Sequence, residues 1–345
     1  MPFLDYLHQA ADRHSLSADQ AEDALHLILA GEATLPQVTA LLTALRVKGE
    51  TAAELTGFAR AMRKHALPIP TESVPRPLID TCGTGGDGHG TFNISTVTAF
   101  VIAGAGLSVA KHGNRSISSR CGSADILEAL GVNIALSAEQ MGEALRQCGI
   151  AFLYAPAVHP SMKFVQPARL ELKMRTIFNL LGPLTNPARA DIQLIGAPSA
   201  PAAELMANAL TRLPVQRALV VHGTDGLDEI TTTGLTIAFE VCRGEVQQQS
   251  LMPMEFGLPL ASLADLAGGD ALDNATIARA ILGGELGPQR DIVVANAAAA
   301  IYLAGRAFSY GDGAELACQS IDSGAALAKL NALTEFTQAV SVSRS

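Results

Sequence analysis

The first 66 residues carry apolar side chains at intervals of three and four positions, a spacing that predicts amphipathic helices. The pattern runs through AEDALHLILAGEA and LPQVTALLTALRVKGETAAELTGFARAMRKHA, with Gly31 as a stop signal. Thr34–Leu35–Pro36 is typical of a helix start, and Thr51 with Glu54 three residues later has the capping-box pattern. Because no strand pattern interrupts this region, the sequence predicts a small helical domain.

The segment LPIPTESVPRP (67–77) separates this region from the rest of the chain. It holds four prolines in eleven residues, and proline removes a backbone donor and prevents the preceding residue from continuing a helix. We therefore expect a domain boundary here, with a helical domain over 1–70 and a second domain over 71–345.

After the boundary, short apolar runs alternate with helical patterns. The predicted strands are 76–82, 107–113, 150–154, 191–198 and 217–223, and the predicted helices are 94–106, 123–131, 138–149 and 201–212. A hairpin pattern covers 235–251, and the C-terminal third returns to helices. Alternating strands and helices predict an α/β fold with a mostly parallel central sheet flanked by helices.

The segment 159–188 is basic at its start, has helical spacing and ends in the turn-rich sequence NLLGPLTNPA. We expect part of it, within 160–190, to cross back to the helical domain. That path would leave a cleft between the two domains, and small-molecule sites favour such junctions. The active site is therefore expected in this cleft.

The stretch GTGGDGHGTFNIST (83–96) places five glycines within eight residues, between a predicted strand and a predicted helix. Glycines allow the backbone to approach a phosphate closely, and helix starts present free N–H groups. A P-loop would need a lysine, and none occurs between Lys64 and Lys111. A dinucleotide loop would start its helix within the glycines and would not carry Asp87. The pattern indicates a different phosphate loop, a plain tight turn being the alternative.

A second polar segment, KHGNRSISSRCGSAD (111–125), also follows a predicted strand. It supplies two arginines, a lysine, a histidine and four serines before its first acid, Asp125. This local positive charge indicates a second anion-binding loop, unless the loop is merely solvated. Two such loops on consecutive strand–helix units indicate one ligand with more than one phosphate group.

An acidic pair follows the predicted strand RALVVHG, in the sequence DGLDEITTTG (225–234). Mg²⁺ is typically held by one or two carboxylates, with water and substrate phosphates completing its shell. An isolated Asp–Glu pair in a loop is more often solvated than functional. Beside two predicted phosphate loops, however, Asp228 and Glu229 indicate a metal site. Arg169, among Lys163, Lys173 and Arg175, could pair with the carboxylate of a second substrate or be a surface charge.

Composition narrows the class of partner and the compartment. The 345 residues are 48% hydrophobic and 17% charged with a net charge of −9, so the sequence argues against a general nucleic-acid binder. The five cysteines form no C-x-x-C pair, which is typical of a reducing compartment. Neither a signal-peptide pattern nor an apolar run long enough to cross a membrane is present, so we expect a cytoplasmic protein without a membrane partner.

Taken together, GTGGD, NIST, KHGNR…SS, NLLGPLTNP and VVHG…DGLDE resemble the anthranilate phosphoribosyltransferase family over nearly the whole chain. The resemblance implies the fold of the pyrimidine nucleoside phosphorylases, a homodimer formed through the helical domain and two Mg²⁺ ions per active site. It implies transfer of the phosphoribosyl group from 5-phosphoribosyl 1-diphosphate to the amine of anthranilate. The products are N-(5-phosphoribosyl)anthranilate and diphosphate, in tryptophan biosynthesis.

The resemblance also implies roles for individual residues. Phosphoribosyl diphosphate would be bound by Gly83, Gly86, Asp87, Thr91, Asn93, Ile94, Ser95, Thr96, Lys111, His112, Gly113, Asn114, Arg115, Ser116, Ile117, Ser118, Ser119 and Ser123. Anthranilate would be bound by Gly83, Asn114 and Arg169, and magnesium by Ser95, Asp228 and Glu229. Lys111 would neutralise the diphosphate, and His112 would orient the acceptor or be a packed histidine.

Two positions differ from the family pattern, and two other functions are alternatives at this point. Leu170 stands where the family often has a second arginine, and Lys173 replaces a common glycine, which affects the acceptor channel. A pyrimidine nucleoside phosphorylase would share the fold, and SSRCGSADILE is partly similar to its motif. The segments KHGNR and DGLDE, however, resemble the motifs of the anthranilate phosphoribosyltransferase family. A catalytically silent, nucleic-acid-binding relative would need a basic surface, which the net charge of −9 disfavours.

Overall fold

Four helices form the first part of the chain, in agreement with the predicted helical region. The structure, a computed structural model, describes residues 3–85, 88–116 and 120–342. The helices are α1 Phe3–Ala11, α2 Ala18–Leu29, α3 Leu35–Lys48 and α4 Ala52–His65. Capping boxes at Ser17, Thr34 and Thr51 begin α2, α3 and α4, so the two starts predicted from sequence are confirmed.

In the described part of the chain, seven strands form one sheet in the order β3-β2-β1-β4-β5-β6-β7. The strands are β1 Leu78–Gly83, β2 Ser108–Gly113, β3 Ile150–Tyr154, β4 Ile192–Gly196, β5 Arg217–Gly223, β6 Thr236–Cys242 and β7 Glu245–Leu251. Strands β1 to β5 are parallel, and β6 and β7 form the predicted antiparallel hairpin. The predicted α/β class with a mostly parallel sheet is confirmed.

Helices cover both faces of this sheet. The helices after α4 are α5 Ile94–Gly104, α6 Ser123–Ala129, α7 Ala138–Cys148, α8 Ala155–Val158, α9 Gln166–Leu172, α10 Phe178–Leu181, α11 Ala200–Leu210, α12 Ala271–Leu282, α13 Pro288–Leu303, α14 Tyr310–Asp322 and α15 Ala325–Val342. Short 3₁₀ helices lie at Pro160–Phe164, Gly182–Thr185, Pro253–Phe256 and Leu263–Leu266. Helix α5 is apolar on all sides because it is packed between the sheet and α13, α14 and α15.

Two apolar cores lie on opposite faces of the sheet. One packs α5 and α12 to α15 against the sheet, and it includes the buried Phe100. The other is shared by helices α1 to α4, by α11 and by the second sheet face, and it includes Phe58 and Val220. Residues of the segment 159–188 also belong to this second core, among them Val165 and Phe178. The segment therefore packs against the N-terminal helices before the chain returns to the sheet at β4.

None of the helices in the described ranges is long and apolar enough to span a lipid bilayer. All five cysteines carry free thiols, and Cys82, Cys121 and Cys148 are buried.

Candidate active site

The parallel strands bring the predicted loops to one edge of the sheet. In the register of the sheet, Gly83 at the end of β1 pairs with Gly196 at the end of β4. From β1 the chain builds outward through β2 and β3 on one side, and through β4 and β5 on the other. Ligands of open α/β sheets bind at such a reversal of strand order, beyond the carboxyl ends of the strands. The loops after β1, β2 and β5 therefore start at one edge of the sheet, and the space beside them is called the crevice.

The glycine-rich loop begins at Gly83 and leads to α5 at Ile94, in agreement with the predicted helix start. Gly85, Gly88 and Gly90 have φ of +71°, +82° and +67°, a region that glycine adopts without a steric penalty. The backbone N–H of Gly85 donates to Asp228 Oδ2 at 2.8 Å, which joins this loop to the acidic loop. Predicted ligands Gly86 and Asp87 lie outside the described residues.

The start of α5 makes contacts that the sequence did not predict. Asn93 is the N-cap residue, but its side chain makes no capping bond. Its amide donates to the carbonyl of Cys121 at 3.2 Å and its oxygen accepts from Asn274 at 3.0 Å, so it links the glycine loop to the second anion loop. The hydroxyl of Thr96 is buried without a partner among the described residues, while Thr91 forms an isolated β-bridge with Ala267.

Lys111 is buried directly beneath the glycine loop. Its Nζ donates to the carbonyl of Thr81 at 2.6 Å and to Ser95 Oγ at 3.1 Å, and only 3% of the residue is exposed. Burial lowers the pKa of Lys111, and the nearby Cys82, Asp80 and Glu229 act in the opposite direction. The structure therefore places an amine side chain between β1, the start of α5 and the acidic pair.

Asp80 supports this arrangement from inside the sheet. Its Oδ1 accepts a hydrogen bond from the backbone N–H of His112 at 3.1 Å, and its side chain is completely buried. The thiol of Cys82 donates to the other carboxylate oxygen at 3.5 Å. Burial is the main reason that the pKa of Cys82 is raised well above its usual value. Cys82 is therefore a structural thiol.

The acidic loop is held from two sides. Asp228 is 8% exposed, and it lies so close to β1 and β4 that a Cβ at Gly83 would stand 2.5 Å from its Oδ2. Behind the pair, Asn296 donates to the carbonyl of Ile230 at 2.9 Å and accepts from its N–H at 3.0 Å. Within the described residues no group of three His, Cys, Asp or Glu side chains is arranged to hold a metal. A cation here would need other oxygen ligands in addition to the two carboxylates.

His112 and His159 form a buried pair beside the segment 182–185. Their ring centroids are 5.1 Å apart, and His112 Nδ1 donates to the carbonyl of Gly182 at 3.1 Å. His112 Nε2 and both ring nitrogens of His159 are buried without a partner among the described residues. Burial lowers both pKa values, that of His159 to about 3, with His112 a second cause for His159. Both rings are therefore neutral, polar groups.

Arg169 on α9 lies over the ring of Phe178, with its guanidinium carbon 5.7 Å from the ring centroid. Within the described part of the chain it makes no ion pair, and burial lowers its pKa. Four residues after Phe178 the chain reaches Gly182, which accepts the bond from His112. Arg169 is thus on the segment that contacts the His112 side of the crevice.

The second anion loop folds back on itself at its base. Ser123 Oγ donates to the carbonyl of Asn114 at 3.1 Å and accepts from its N–H at 3.2 Å. The side chain of Arg115, one of the predicted phosphoribosyl diphosphate ligands, contacts Asp125 and Glu128. The predicted ligands Ile117, Ser118 and Ser119 lie outside the described residues.

Sequence reasoning missed four residues that shape the crevice: Asp80, His159, Gly196 and Asn296. His159 carried a usable signal, because it follows the end of a predicted strand in the same way as the identified loops do. Asp80 and Gly196 lie within strands, where the sequence does not distinguish them from ordinary core or turn residues. Asn296 lies in the middle of an alanine-rich helix, and only its contact with Ile230 reveals its role.

Known proteins similar to this chain share both of its parts. The helical bundle domain of a glycosyl transferase family matches residues 4–66, and the a/b domain of that family matches residues 75–327. The anthranilate phosphoribosyltransferase of Solibacter usitatus is 56% identical over 336 residues, which cover 97% of this chain and 99% of the relative.

Solved structures agree with these relatives. The crystal structure of the Thermus thermophilus anthranilate phosphoribosyltransferase is 44% identical with a TM-score of 0.92, covering 97% of this chain and 99% of the other. The Saccharomyces cerevisiae enzyme in complex with PRPP and Mg is 29% identical with a TM-score of 0.89, covering 98% of each chain. This chain belongs to the anthranilate phosphoribosyltransferase family.

Proposed function

We propose that this chain transfers the 5-phosphoribosyl group from 5-phosphoribosyl 1-diphosphate to the amine of anthranilate. The observation that carries the proposal is the meeting of three groups at one sheet edge: the glycine loop, the buried Lys111 and the acidic pair. The contacts Gly85–Asp228 and Lys111–Ser95 join these groups directly. Such a site combines anion binding with carboxylates, which suits a sugar diphosphate handled with a metal.

Departure of diphosphate from the ribose leaves positive charge on the anomeric carbon and negative charge on the leaving group. Stabilising that leaving-group charge with fixed donors is the main demand on the protein. Lys111 supplies a cation held by Thr81 and Ser95, so it need not reorganise during the reaction. The glycines of the loop carry no side chains of their own, so the backbone can approach the diphosphate closely.

The residues present fit Mg²⁺. Asp228 and Glu229 offer carboxylate oxygens and Ser95 a hydroxyl, which are the hard donors that this ion prefers, and substrate phosphates can complete its shell. When bound, Mg²⁺ would neutralise charge on the diphosphate. We propose two ions per active site, because adjacent carboxylates diverge and can serve separate ions. Titration calorimetry with Mg²⁺ and the phosphoribosyl donor would give the stoichiometry.

On the acceptor side, the protein must pair with the carboxylate of anthranilate and hold its aromatic amine in a fixed orientation. Arg169 is the proposed partner of the anthranilate carboxylate, since it is partly desolvated and makes no ion pair with an acidic side chain among the described residues. Asn114 and the neutral His112–His159 pair would orient the ring and amine. The aromatic amine is nucleophilic when neutral, so no strong general base is required.

The direct test is turnover of anthranilate, followed as loss of its fluorescence, with and without Mg²⁺. Magnesium-dependent turnover that requires 5-phosphoribosyl 1-diphosphate is expected. Phosphorolysis of pyrimidine nucleosides without any anthranilate turnover would support the nucleoside phosphorylase alternative. Absence of both activities in a folded sample, together with tight nucleic-acid binding, would support the silent relative.

The metal assignment has its own test in the double variant Asp228→Asn/Glu229→Gln. We expect turnover to be lost and Mg²⁺ binding by calorimetry to be abolished, while the thermal transition persists. Glu285→Gln, which removes a carboxylate beyond α12 and outside the proposed site, is the control. Retained magnesium-dependent turnover in the double variant would contradict the assignment.

We also propose a cytoplasmic homodimer that associates through the helical domain, with the active site in the cleft beside it. The helical part supports this with the exposed apolar side chains of Leu4 on α1 and of Leu35 and Val47 on α3. Sedimentation of the parent and of Val47→Lys would test it. A monomeric parent would rule the dimer out.

A further inference from the structure

The carboxylate of Asp125 closes the base of the second anion loop. Its Oδ2 accepts hydrogen bonds from the backbone N–H groups of Gly122, at 2.8 Å, and Ser116, at 3.2 Å. These two amides belong to opposite arms of the loop, one leaving β2 and the other returning toward α6. A single carboxylate therefore ties the outgoing chain to the returning chain.

The guanidinium of Arg115 completes this contact from outside. Its Nη1 donates to Asp125 Oδ1 at 2.9 Å and to Glu128 Oε2 at 2.6 Å, and its Nη2 donates to Glu128 Oε1 at 2.8 Å. Desolvation acts to raise the pKa of Asp125, but the backbone and Arg115 hydrogen bonds that it accepts outweigh this and lower the pKa, so it is ionised. Paired with two carboxylates, Arg115 is not a free cation for a phosphate.

Close packing leaves this base little freedom. A Cβ on Gly122 would lie 2.7 Å from the carbonyl carbon of Arg115 and 2.8 Å from the carbonyl oxygen of Asn114. The N–H of Ala124 also donates to that oxygen, at 3.2 Å. The position of Asn114 is therefore set by the returning chain, and Asp125 fixes how the two arms meet.

We propose that Asp125 is a positioning residue for the phosphoribosyl diphosphate site, and that the Arg115 side chain supports Asp125 instead of binding phosphate. Asp125 and its contacts with Ser116, Gly122 and Arg115 are called the latch. The inference rests on the proposed function, since it concerns how the substrate loop is held. An isolated exposed ion pair contributes little, but a bidentate arginine in a network with backbone donors is the exception. The backbone of 114–116, held by the latch, is the part that meets the substrate.

The test compares Asp125→Ala, Asp125→Asn, Arg115→Gln and the double variant Arg115→Gln/Asp125→Ala. Asp125→Ala should raise the KM for 5-phosphoribosyl 1-diphosphate about tenfold, the loss expected for a hydrogen bond to a charged group, and change kcat less than about threefold. Asp125→Asn keeps one acceptor oxygen and should restore most of the parental KM. The matched control Glu143→Gln breaks an exposed arginine pair on α7 and should leave KM unchanged.

The double variant separates a latch from a phosphate ligand. If Arg115 acts only through Asp125, the double variant should be no worse than Asp125→Ala. If Arg115 binds phosphate directly, the two effects should multiply, and Glu128→Gln should lower the KM by releasing the guanidinium. Either of these results would overturn the proposal.

Amide hydrogen exchange provides a readout that does not depend on turnover. Asp125→Ala should accelerate exchange at the N–H groups of Ser116 and Gly122, while Glu143→Gln should not. Unchanged exchange at both amides would overturn the latch even in an active enzyme. If the parent shows no anthranilate turnover but exchange responds as expected, the proposed function fails while the latch stands.

Discussion

Gly196, at the end of β4, is the position where one methyl group should be most damaging to catalysis. A Cβ there would overlap the carbonyl oxygen of Asp228 and lie 2.5 Å from its carbonyl carbon. Carbon atoms pack best at about 3.5–4.0 Å, so the acidic loop would have to move by at least about 1 Å. Overpacking of this kind costs about 1–3 kcal/mol of stability.

The catalytic loss should exceed the loss of stability. A displacement of about 1 Å moves the Asp228 carboxylate away from the N–H of Gly85, and misplacements of that size can lower rates by about 100-fold. For Gly196→Ala we therefore expect kcat/KM to fall by about 100-fold, with a higher Mg²⁺ concentration needed for half activation. The fold itself should persist, as seen in circular dichroism.

The assay is fluorescence loss of anthranilate at a series of Mg²⁺ concentrations, with thermal melting run in parallel. Gly311→Ala on α14 is the control, because its added Cβ meets only ordinary contacts at 3.7 and 3.9 Å. The reasoning would be refuted if Gly196→Ala kept kcat/KM within about twofold and an unchanged Mg²⁺ dependence.

Two further predictions concern the supports of the site. Asn296→Ala removes both side-chain hydrogen bonds to the backbone of Ile230 and should lower the free energy of unfolding by about 2–4 kcal/mol, with weaker Mg²⁺ activation. Denaturant unfolding and Mg²⁺ titration measure these effects. A loss of stability below about 0.5 kcal/mol would contradict the prediction. His159 has a pKa of about 3 when folded and roughly 6.5 when unfolded, so below about pH 6.5 the unfolded chain binds a proton that the native chain does not. Stability should then fall as pH falls, by up to about 1.4 kcal/mol per unit from this residue between about pH 6.5 and 3. Denaturant unfolding at about pH 6.5 and 5.5 should show about 1 kcal/mol less loss for His159→Phe than for the parent; equal losses would contradict the assignment.

Local patterns were sufficient for the elements and their order. The three- and four-residue spacing predicted α2 to α4 within a region expected to be helical, and the side chains of Thr34 and Thr51 do cap their helices. Alternation of apolar runs and helical patterns predicted the parallel sheet. These features depend on residues close in sequence, where spacing and capping chemistry act directly. The family indicated by the loop motifs is also confirmed by the relatives.

The roles of individual site residues stay predictions, and the structure changes what some of them can do. Asn93 was expected to cap α5 or to bind phosphate, but its side chain is bonded to Cys121 and Asn274. Arg115 was predicted to bind phosphoribosyl diphosphate, and in the structure two carboxylates hold its guanidinium. A sequence shows that a side chain is charged but not which nearby partner satisfies it.

The sequence by itself determined where the main helices and strands lie and which family the chain resembles. The phosphate-binding role of its loops stays a prediction. Only the tertiary structure decided which residues meet. Gly85 and Asp228 are 143 positions apart, and they touch because the sheet order places β1 beside β4 and the acidic loop over both. The buried His112–His159 pair likewise depends on how the segment after β3 packs against β2. Contacts between distant residues follow from strand order and register, which emerge from packing of the whole chain and are not written in any local pattern.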